Sequence, residues 1–152
     1  MLMIFLCQFL LAGLSGIWLA TVPFDWAVSD SYFVVGHFHY VLFGGLLFAI
    51  MAAIYFWFPK VTGRMMNETL GKWQFWILII GFNLTFGPMH VSGMLGMPRR
   101  IYTYHEDRGW ELWNLLSSIG VAFQLVAFSL FAMNLLHSCF KGRRAGDDPW
   151  DA

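Results

Sequence analysis

The chain has 152 residues, of which 59% are hydrophobic, 19% aromatic and only 12% charged. A water-soluble domain carries about a quarter charged residues, so this composition indicates a protein whose solvent is lipid. The formal net charge is zero, which gives no support to nucleic-acid binding.

The charged residues fall into short windows that separate four apolar runs. Each run reaches the length of about 20 residues that a helix needs to cross a bilayer. Helices are the only spanning form for runs without strict alternation. We therefore predict an all-α membrane protein, with a four-helix transmembrane segment over residues 1–140 and a tail over residues 141–152. The predicted spans are 1–22, 32–58, 73–97 and 112–138.

The first run begins at Met1 without a basic leader, which is a poor fit to a signal peptide. We expect a full or slightly shortened span there, and a chain that is a piece of something larger. An even number of spans puts both termini on one side, together with the second connection. That side holds most of the basic residues, which predicts cytoplasmic termini. These residues are Lys60, Arg64, Lys72, Lys141, Arg143 and Arg144, against Arg99, Arg100 and Arg108 on the other side.

Two histidines, His37 and His39, lie near the start of the second run, in the stretch GHFHY. If the helix begins near Tyr32, they lie about 7–10 Å below its end at 1.5 Å per residue. That depth is inside the hydrocarbon, where an ionisable residue indicates a function. Residues two apart on a helix point about 200° apart, so the two rings cannot share one metal ion. The spacing predicts two sites, one on each side of the helix.

Haem iron suits such sites, because one axial histidine per macrocycle is enough and the porphyrin buries a large apolar area. Gly44 and Gly45 on the same helix would let a flat ligand or a neighbouring helix approach closely. The alternative is that each histidine hydrogen-bonds a neighbouring helix and binds no cofactor.

Two adjacent arginines, Arg99 and Arg100, follow the third run, on the same side of the membrane as the start of the second helix. Guanidinium groups bind carboxylates bidentately, and a haem carries two propionates. The pair is therefore a candidate contact for haem propionates. The alternative is interfacial anchoring, with the charged groups reaching the membrane surface.

Three further histidines are interpreted without a cofactor. We expect His90, which follows Pro88 in the third span, to be structural, with a water or proton network as the alternative. His105 and His137 are expected at solvated surfaces.

Other polar and sulfur-containing side chains are assigned to packing. Ser117, Ser118 and Gln124 are predicted to form hydrogen bonds between helices. Cys7 and Cys139 lie far apart in sequence and are expected to act as small buried hydrophobic residues.

Three stretches, SDSYFVVGHFHYVLFGG, GFNLTFGPMHVSGMLGMPRR and WNLLSSIG, resemble the C-terminal part of subunit I of the haem-copper oxidases, the cytochrome c oxidase group. The resemblance runs from about residue 8 to residue 137, with the HFHY and GMPRR blocks in the family's order and spacing. It implies that the four spans correspond to the last four helices of the family's twelve-helix core.

The resemblance also implies roles for the candidate residues. His37 matches the proximal iron ligand of the high-spin haem, and His39 matches one axial ligand of the low-spin haem. Arg99 and Arg100 match the pair that contacts the haem propionates. Asp25 matches an acidic position near the propionates of the high-spin haem.

The match is incomplete at two places. Asp30 corresponds to a carboxylate of the family's magnesium site, but Ser29 stands where the family usually has a histidine that binds this metal. The magnesium site therefore lacks a ligand unless water fills the position. The copper ligands and the second axial histidine of the low-spin haem belong to earlier helices of the family's subunit, and no residue here matches them.

The favoured function is a portion of the catalytic subunit of a terminal oxidase in a bacterial plasma membrane. Such an enzyme reduces oxygen to water with electrons from cytochrome c or quinol, coupled to proton pumping. It implies two haems, copper held elsewhere, and as partners membrane lipid, the rest of subunit I, and subunits II and III. The alternatives are a small dihaem electron-transfer protein without oxygen chemistry, and a structural or assembly protein whose histidines bind nothing.

Overall fold

The computed structural model describes residues 2–146 and 148–150, and within them the only regular elements are helices. They are α1 (Leu2–Ala20), α2 (Val22–Val28), α3 (Tyr32–Thr62), α4 (Glu68–Met94) and α5 (Glu111–Lys141). Four of the five, all except α2, are long and apolar enough to cross a membrane. The prediction of an all-α protein with four transmembrane helices is confirmed. The short helix α2 lies in a connection for which the sequence predicted no helix.

Polar side chains and a glycine define the helix ends. The hydroxyl of Ser31 accepts a hydrogen bond from the Phe33 backbone N–H at the start of α3, and the side chain of Asn67 accepts one from Leu70 at the start of α4. Such caps satisfy backbone donors that have no partner within the helix. After α3 the chain turns at Gly63, whose φ of 67° suits a residue without a Cβ.

The middle of α3 is wound more widely than the rest. Residues Tyr40–Leu47 form a π-helical stretch that begins directly after His39 and contains Gly44 and Gly45. A Cβ on Gly44 would lie 3.0 Å from Cβ of Gln8, and one on Gly45 would lie 3.4 Å from the Phe9 ring. The two glycines therefore allow α1 to approach α3 closely. π-helical stretches are often found at functional sites.

Helices α4 and α5 form the closest contact in the bundle. A Cβ on Gly81 would lie 2.9 Å from the Gly120 carbonyl oxygen, so only glycine fits at this crossing. Beside it, Ser117 donates to the Thr85 carbonyl at 2.8 Å and Gln124 donates to the Thr85 hydroxyl at 2.6 Å. The predicted interhelical hydrogen bonds of Ser117 and Gln124 are confirmed. For Ser118 the prediction is wrong, because its exposed hydroxyl donates to Asn114 in its own helix.

The tail packs against the loop between α3 and α4. The Met65 N–H donates to the Arg143 carbonyl at 2.8 Å, and the Ala145 N–H donates to the Gly63 carbonyl at 2.8 Å. Trp150 and Leu2 line the same cavity at this end of the molecule. The beginning of α1, the loop after α3 and the tail therefore share one end, which we call the tail end. The other end, with the start of α3 and the loop after α4, is called the arginine-loop end.

The interpretation of the cysteines is wrong. Cys7 and Cys139 are both exposed on the helix surface. Among transmembrane helices, an apolar side chain gains little by moving from lipid into a helix contact. The buried positions hold large apolar residues, such as Phe48 and Phe82, together with small and polar ones, such as Ala12 and Asn134.

Candidate functional site

The two histidines contact different helices. The His37 ring faces α1, where its Nδ1 lies 2.8 Å from the Ser15 hydroxyl. The His39 ring faces α4 and stacks on Phe86, with ring centroids 4.2 Å apart and an angle of 13° between the planes. The rings lie on different sides of α3, as the helical spacing predicts. They cannot bind a common ion.

His39 is anchored within its own helix. Its Nδ1 lies 2.7 Å from the Val35 carbonyl oxygen, four residues earlier. A carbonyl can only accept, so Nδ1 carries the proton and Nε2 has the free lone pair. The ring borders an apolar cavity of about 310 Å³, lined also by Phe38, Leu42, Phe43, Leu46, Leu47 and Ile50. A flat apolar group could lie in this groove with a metal opposite Nε2.

His37 is anchored to another helix. The ring packs over Gly16, where a Cβ would lie 3.1 Å from the His37 Cε1 atom. Ser15 also lines an apolar cavity of about 320 Å³, together with Trp18, Tyr40 and His90. Neither His37 nor His39 makes a hydrogen bond through Nε2 within residues 2–146 and 148–150. Both rings thus present a nitrogen that is able to bind a metal.

The loop after α4 is joined to the start of the histidine-bearing helix. The Tyr32 N–H donates to the Met97 carbonyl at 2.9 Å, and the Arg99 N–H donates to the Asp30 carbonyl at 2.8 Å. The Arg99 guanidinium also pairs with the Asp30 carboxylate. Arg99 is brought to the arginine-loop end of α3, as the predicted topology requires. Arg100 is exposed, with a φ of 67°.

The acidic candidates are engaged by neighbouring residues. Asp30 has a φ of 60° and is bound by Arg99. Asp25, in α2, accepts a hydrogen bond from the Ser29 hydroxyl at 3.0 Å. The structure brings Asp30 and Arg99 together, whereas Asp25 is paired with Ser29 on the neighbouring turn.

Haem fits the residues of this chain. Two imidazoles have an Nε2 without a hydrogen bond among the described residues, and one of them lies beside an apolar groove. In addition, Nε of Arg99 is buried and has no hydrogen-bond partner in the part of the chain that the structure describes. A buried donor without an acceptor is costly, and a propionate carboxylate would satisfy it.

Magnesium and copper do not fit the residues of this chain. The Asp30 carboxylate is occupied by a guanidinium, and Ser29 provides only a hydroxyl, which is itself directed to Asp25. No group of three or more His, Cys, Asp or Glu side chains that could hold a metal occurs among the described residues. We assign no chemistry in this chain to either metal.

The other histidines take structural positions. His90 has Nδ1 at 3.1 Å from the Phe86 carbonyl and lies edge-on to the rings of Phe33 and Tyr40. This environment agrees with the structural interpretation of His90. His105 and His137 are exposed, as expected.

Sequence reasoning missed two residues beside the histidines. Phe86 stacks on His39 from α4, and Ser15 binds His37 from α1. The alternation of small residues in AGLSG was a signal for a close approach near Ser15. Nothing in the sequence linked Phe86 with His39, because the contact joins residues far apart in the chain.

Known proteins similar to this chain share its fold and sequence. A family model described as "Cytochrome C and Quinol oxidase polypeptide I" matches residues 1–123. Cytochrome c oxidase subunit 1 of Synechocystis sp. is 52% identical over 149 residues, which are 97% of this chain and 26% of that protein. The corresponding protein of Alkalihalophilus pseudofirmus is 46% identical over 149 residues, covering 97% of this chain and 24% of its own length.

Similarity extends to a second kind of oxidase. A probable quinol oxidase subunit 1 of Staphylococcus aureus is 45% identical over 148 residues, which are 97% of this chain and 22% of that protein. A solved structure of a heme-copper terminal oxidase dimer superposes with a TM-score of 0.81 at 22% identity, covering 93% of this chain and 26% of that one. The chain thus spans about a quarter of the length of the curated relatives it matches.

Proposed function

Because this chain belongs to the cytochrome c and quinol oxidase polypeptide I family, we propose that it supplies one axial histidine to each of two haems in a terminal oxidase. One observation carries the proposal. His37 and His39 have Nδ1 anchored to different partners, and on different sides of one helix each has an Nε2 without a hydrogen bond to any described residue.

The two histidines have separate roles. His37 is the proximal ligand of the high-spin haem, and His39 is an axial ligand of the low-spin haem. The haems supply electron transfer and oxygen reduction when bound. The chain holds both ligands two residues apart on one helix, which would keep the two macrocycles close together.

The arginines neutralise the propionates of the haems. The Arg99 side chain is only 32% exposed, and its buried Nε has no partner among the described residues, so it can donate to a carboxylate while the guanidinium keeps its contact with Asp30. Arg100, which is exposed, is placed to contact a second carboxylate from the surface. Their charge stabilises the anionic propionates and thereby influences haem potential. Asp25 lies in the neighbouring helix α2 and takes a position near the propionates.

The whole enzyme reduces oxygen to water, coupled to proton pumping, in a bacterial plasma membrane. The copper ligands and the second axial histidine of the low-spin haem come from the rest of subunit I, and subunits II and III complete the complex. The electron donor is cytochrome c or quinol, since the relatives include oxidases of both kinds. The termini and the tail, at residues 141–152, lie on the cytoplasmic side, where most basic residues occur.

The test is a set of histidine variants in the complete oxidase. His39→Ala should abolish the low-spin haem spectrum, and His37→Ala should abolish the high-spin spectrum while the low-spin spectrum remains. His105→Ala, in an exposed loop, is the matched control and should change neither. Normal reduced-minus-oxidised spectra in both His37→Ala and His39→Ala would exclude the proposal.

The dihaem alternative is tested with the chain alone. It requires a second axial histidine from these helices, and His90 is the main intramembrane candidate. The ring of His90 is already packed against Phe33 and Tyr40, so we expect no stable six-coordinate haem in the isolated chain. A six-coordinate spectrum that disappears in His90→Ala would favour the alternative.

A further inference from the structure

The hydroxyl of Ser15 lies between His37 and the backbone of α1. Its oxygen is 2.9 Å from the Ala12 carbonyl oxygen and 2.8 Å from Nδ1 of the His37 ring. Ser15 is 8% exposed and belongs to the only buried stripe of α1, with Gln8 and Ala12. The hydroxyl is therefore part of the contact that seats α1 against α3.

Counting donors and acceptors fixes the protons in this contact. The Ala12 carbonyl can only accept, so it takes the single proton of the Ser15 hydroxyl. The hydroxyl oxygen then faces Nδ1 with a lone pair, and Nδ1 must be the donor. The neutral ring is thus protonated at Nδ1 and has its lone pair at Nε2.

The Nε2–H tautomer of His37 would leave the Nε2–H donor without an acceptor among the described residues. With the proton on Nε2, the ring would present a donor on a side where no acceptor lies within hydrogen-bond distance in the part of the chain described. The hydroxyl would also have to turn from Ala12 to Nδ1. An unsatisfied donor is costly in an apolar medium, so the Nδ1–H tautomer is favoured.

We infer that Ser15 is a positioning residue, which holds the His37 ring in the Nδ1–H tautomer and directs Nε2 toward the iron that the proposed function places there. Only the identity of that metal rests on the proposed function. The tautomer follows from this chain's own atoms. A partner on the second nitrogen commonly fixes the tautomer and orientation of a ligand histidine.

The two histidines differ in what fixes them. His39 donates to a carbonyl of its own helix, four residues earlier, so α3 alone sets its tautomer. His37 depends on a hydroxyl from α1, so its tautomer and orientation are coupled to the docking of a second helix.

The experiment measures the tautomer by NMR on the full chain in detergent micelles, with ¹⁵N in the histidine rings. At about pH 8 an ordinary histidine is neutral, and the ring nitrogen shifts distinguish the tautomers. Wild type should show His37 as Nδ1–H. Ser15→Ala should lower the ratio of Nδ1–H to Nε2–H by about five-fold, the effect of one net hydrogen bond.

Three controls separate positioning from general disruption. Ser15→Thr keeps the hydroxyl and should restore the wild-type ratio. Ser118→Ala removes an exposed hydroxyl that bonds its own helix, and it should leave His37 unchanged. The His39 signals should stay constant in all variants. An unchanged ratio in folded Ser15→Ala would overturn the inference. A wild-type His37 found as Nε2–H would overturn it as well, without needing any variant to fold.

A measurement on the complete oxidase keeps this inference distinct from the proposed function. The iron–histidine stretching band of the ferrous high-spin haem should shift in Ser15→Ala and return in Ser15→Thr, while the low-spin haem bands stay fixed. If His37→Ala leaves the high-spin haem intact, the proposed function fails but the tautomer result stands. If His37→Ala removes that haem and Ser15→Ala moves neither the stretching band nor the tautomer ratio, only the role of Ser15 fails.

Discussion

The contact between α4 and α5 differs in kind from the contact between α1 and α3. At the first, glycines bring the backbones together, and the buried side chains of Ser117, Gln124 and Asn134 are hydrogen-bonded. At the second, α1 buries only Gln8, Ala12 and Ser15, and the Gln8 Oε1 atom is buried without a partner in the described part of the chain. The α4–α5 contact is tightly packed and hydrogen-bonded, whereas the α1–α3 contact lies beside His37 and a cavity.

This difference separates stability from function in the bundle. In lipid, helices associate through close packing and hydrogen bonds, since apolar burial gives little advantage between helices. The α4–α5 contact has both features and should dominate the free energy of unfolding. The α1–α3 contact should instead set the environment of His37. Substitutions at the α4–α5 contact should therefore lower the free energy of unfolding, whereas substitutions at the α1–α3 contact should change the environment of His37.

The largest expected effect on stability is at the crossing of α4 and α5, where Gly81 meets Gly120. Gly120→Val places a side chain against the Thr85 hydroxyl and backbone N–H, and we expect a loss of about 3 kcal/mol in the free energy of unfolding. The measurement is an SDS titration in mixed micelles. Gly13→Val, on α1, is the control because its Cβ would meet no atom within 4 Å. Equal losses in the two variants would remove the distinction between the contacts.

A smaller effect is expected at the tail end of the same helix pair. Asn134 is fully buried and binds the Asn67 N–H and carbonyl at 3.0 Å each, together with Tyr55 and Ser138. Asn134→Leu should cost about 2 kcal/mol, because several buried polar groups lose their partner. It should also increase hydrogen exchange at the Asn67 amide.

The control for Asn134→Leu is Ser129→Ala. The Ser129 hydroxyl is exposed and bonds Leu125 in its own helix, so its loss should change stability by less than about 0.5 kcal/mol. If Asn134→Leu were equally mild, the buried network would have no part in holding the loop before α4.

The smallest effect is expected at the ion pair between Asp30 and Arg99, at the arginine-loop end. Asp30→Asn removes the ion pair with Arg99 and keeps a residue type that tolerates positive φ. Asp30 is 76% exposed, so the loss should stay below about 1 kcal/mol and decrease in high salt. The same SDS titration at low and high salt measures it.

Asp107→Asn is matched to Asp30→Asn, since Asp107 also has a positive φ, of 72°, and forms no ion pair among the described residues. It should show no salt-dependent loss. A salt-dependent loss as large in Asp107→Asn would mean that the Asp30 effect does not come from Arg99.

Composition and run length predicted the four helices because a helix that crosses lipid needs about 20 consecutive apolar residues, and such runs can be counted in the sequence. The opposed placement of His37 and His39 also followed from helical geometry alone. What escaped prediction depends on contacts between distant residues. Ser15 meets His37 across two helices, and Asp30 meets Arg99 across two loops. The exposed cysteines were misassigned because burial was judged by the rules of a protein in water.

The π-helical stretch Tyr40–Leu47 changes the direction in which the side chains of the second half of α3 point. A π-helical turn takes up more residues than an α-helical one. Compared with a continuous α-helix, the stretch therefore rotates Phe48–Thr62 relative to the histidines. An α-helix advances by about 100° per residue at 3.6 residues per turn. Rewinding the same residues as α-helix, with none deleted, would turn Phe48–Thr62 relative to the histidines. These eight residues therefore set the angle between the directions of the two histidines and the face of Phe48–Thr62 that packs at the tail end.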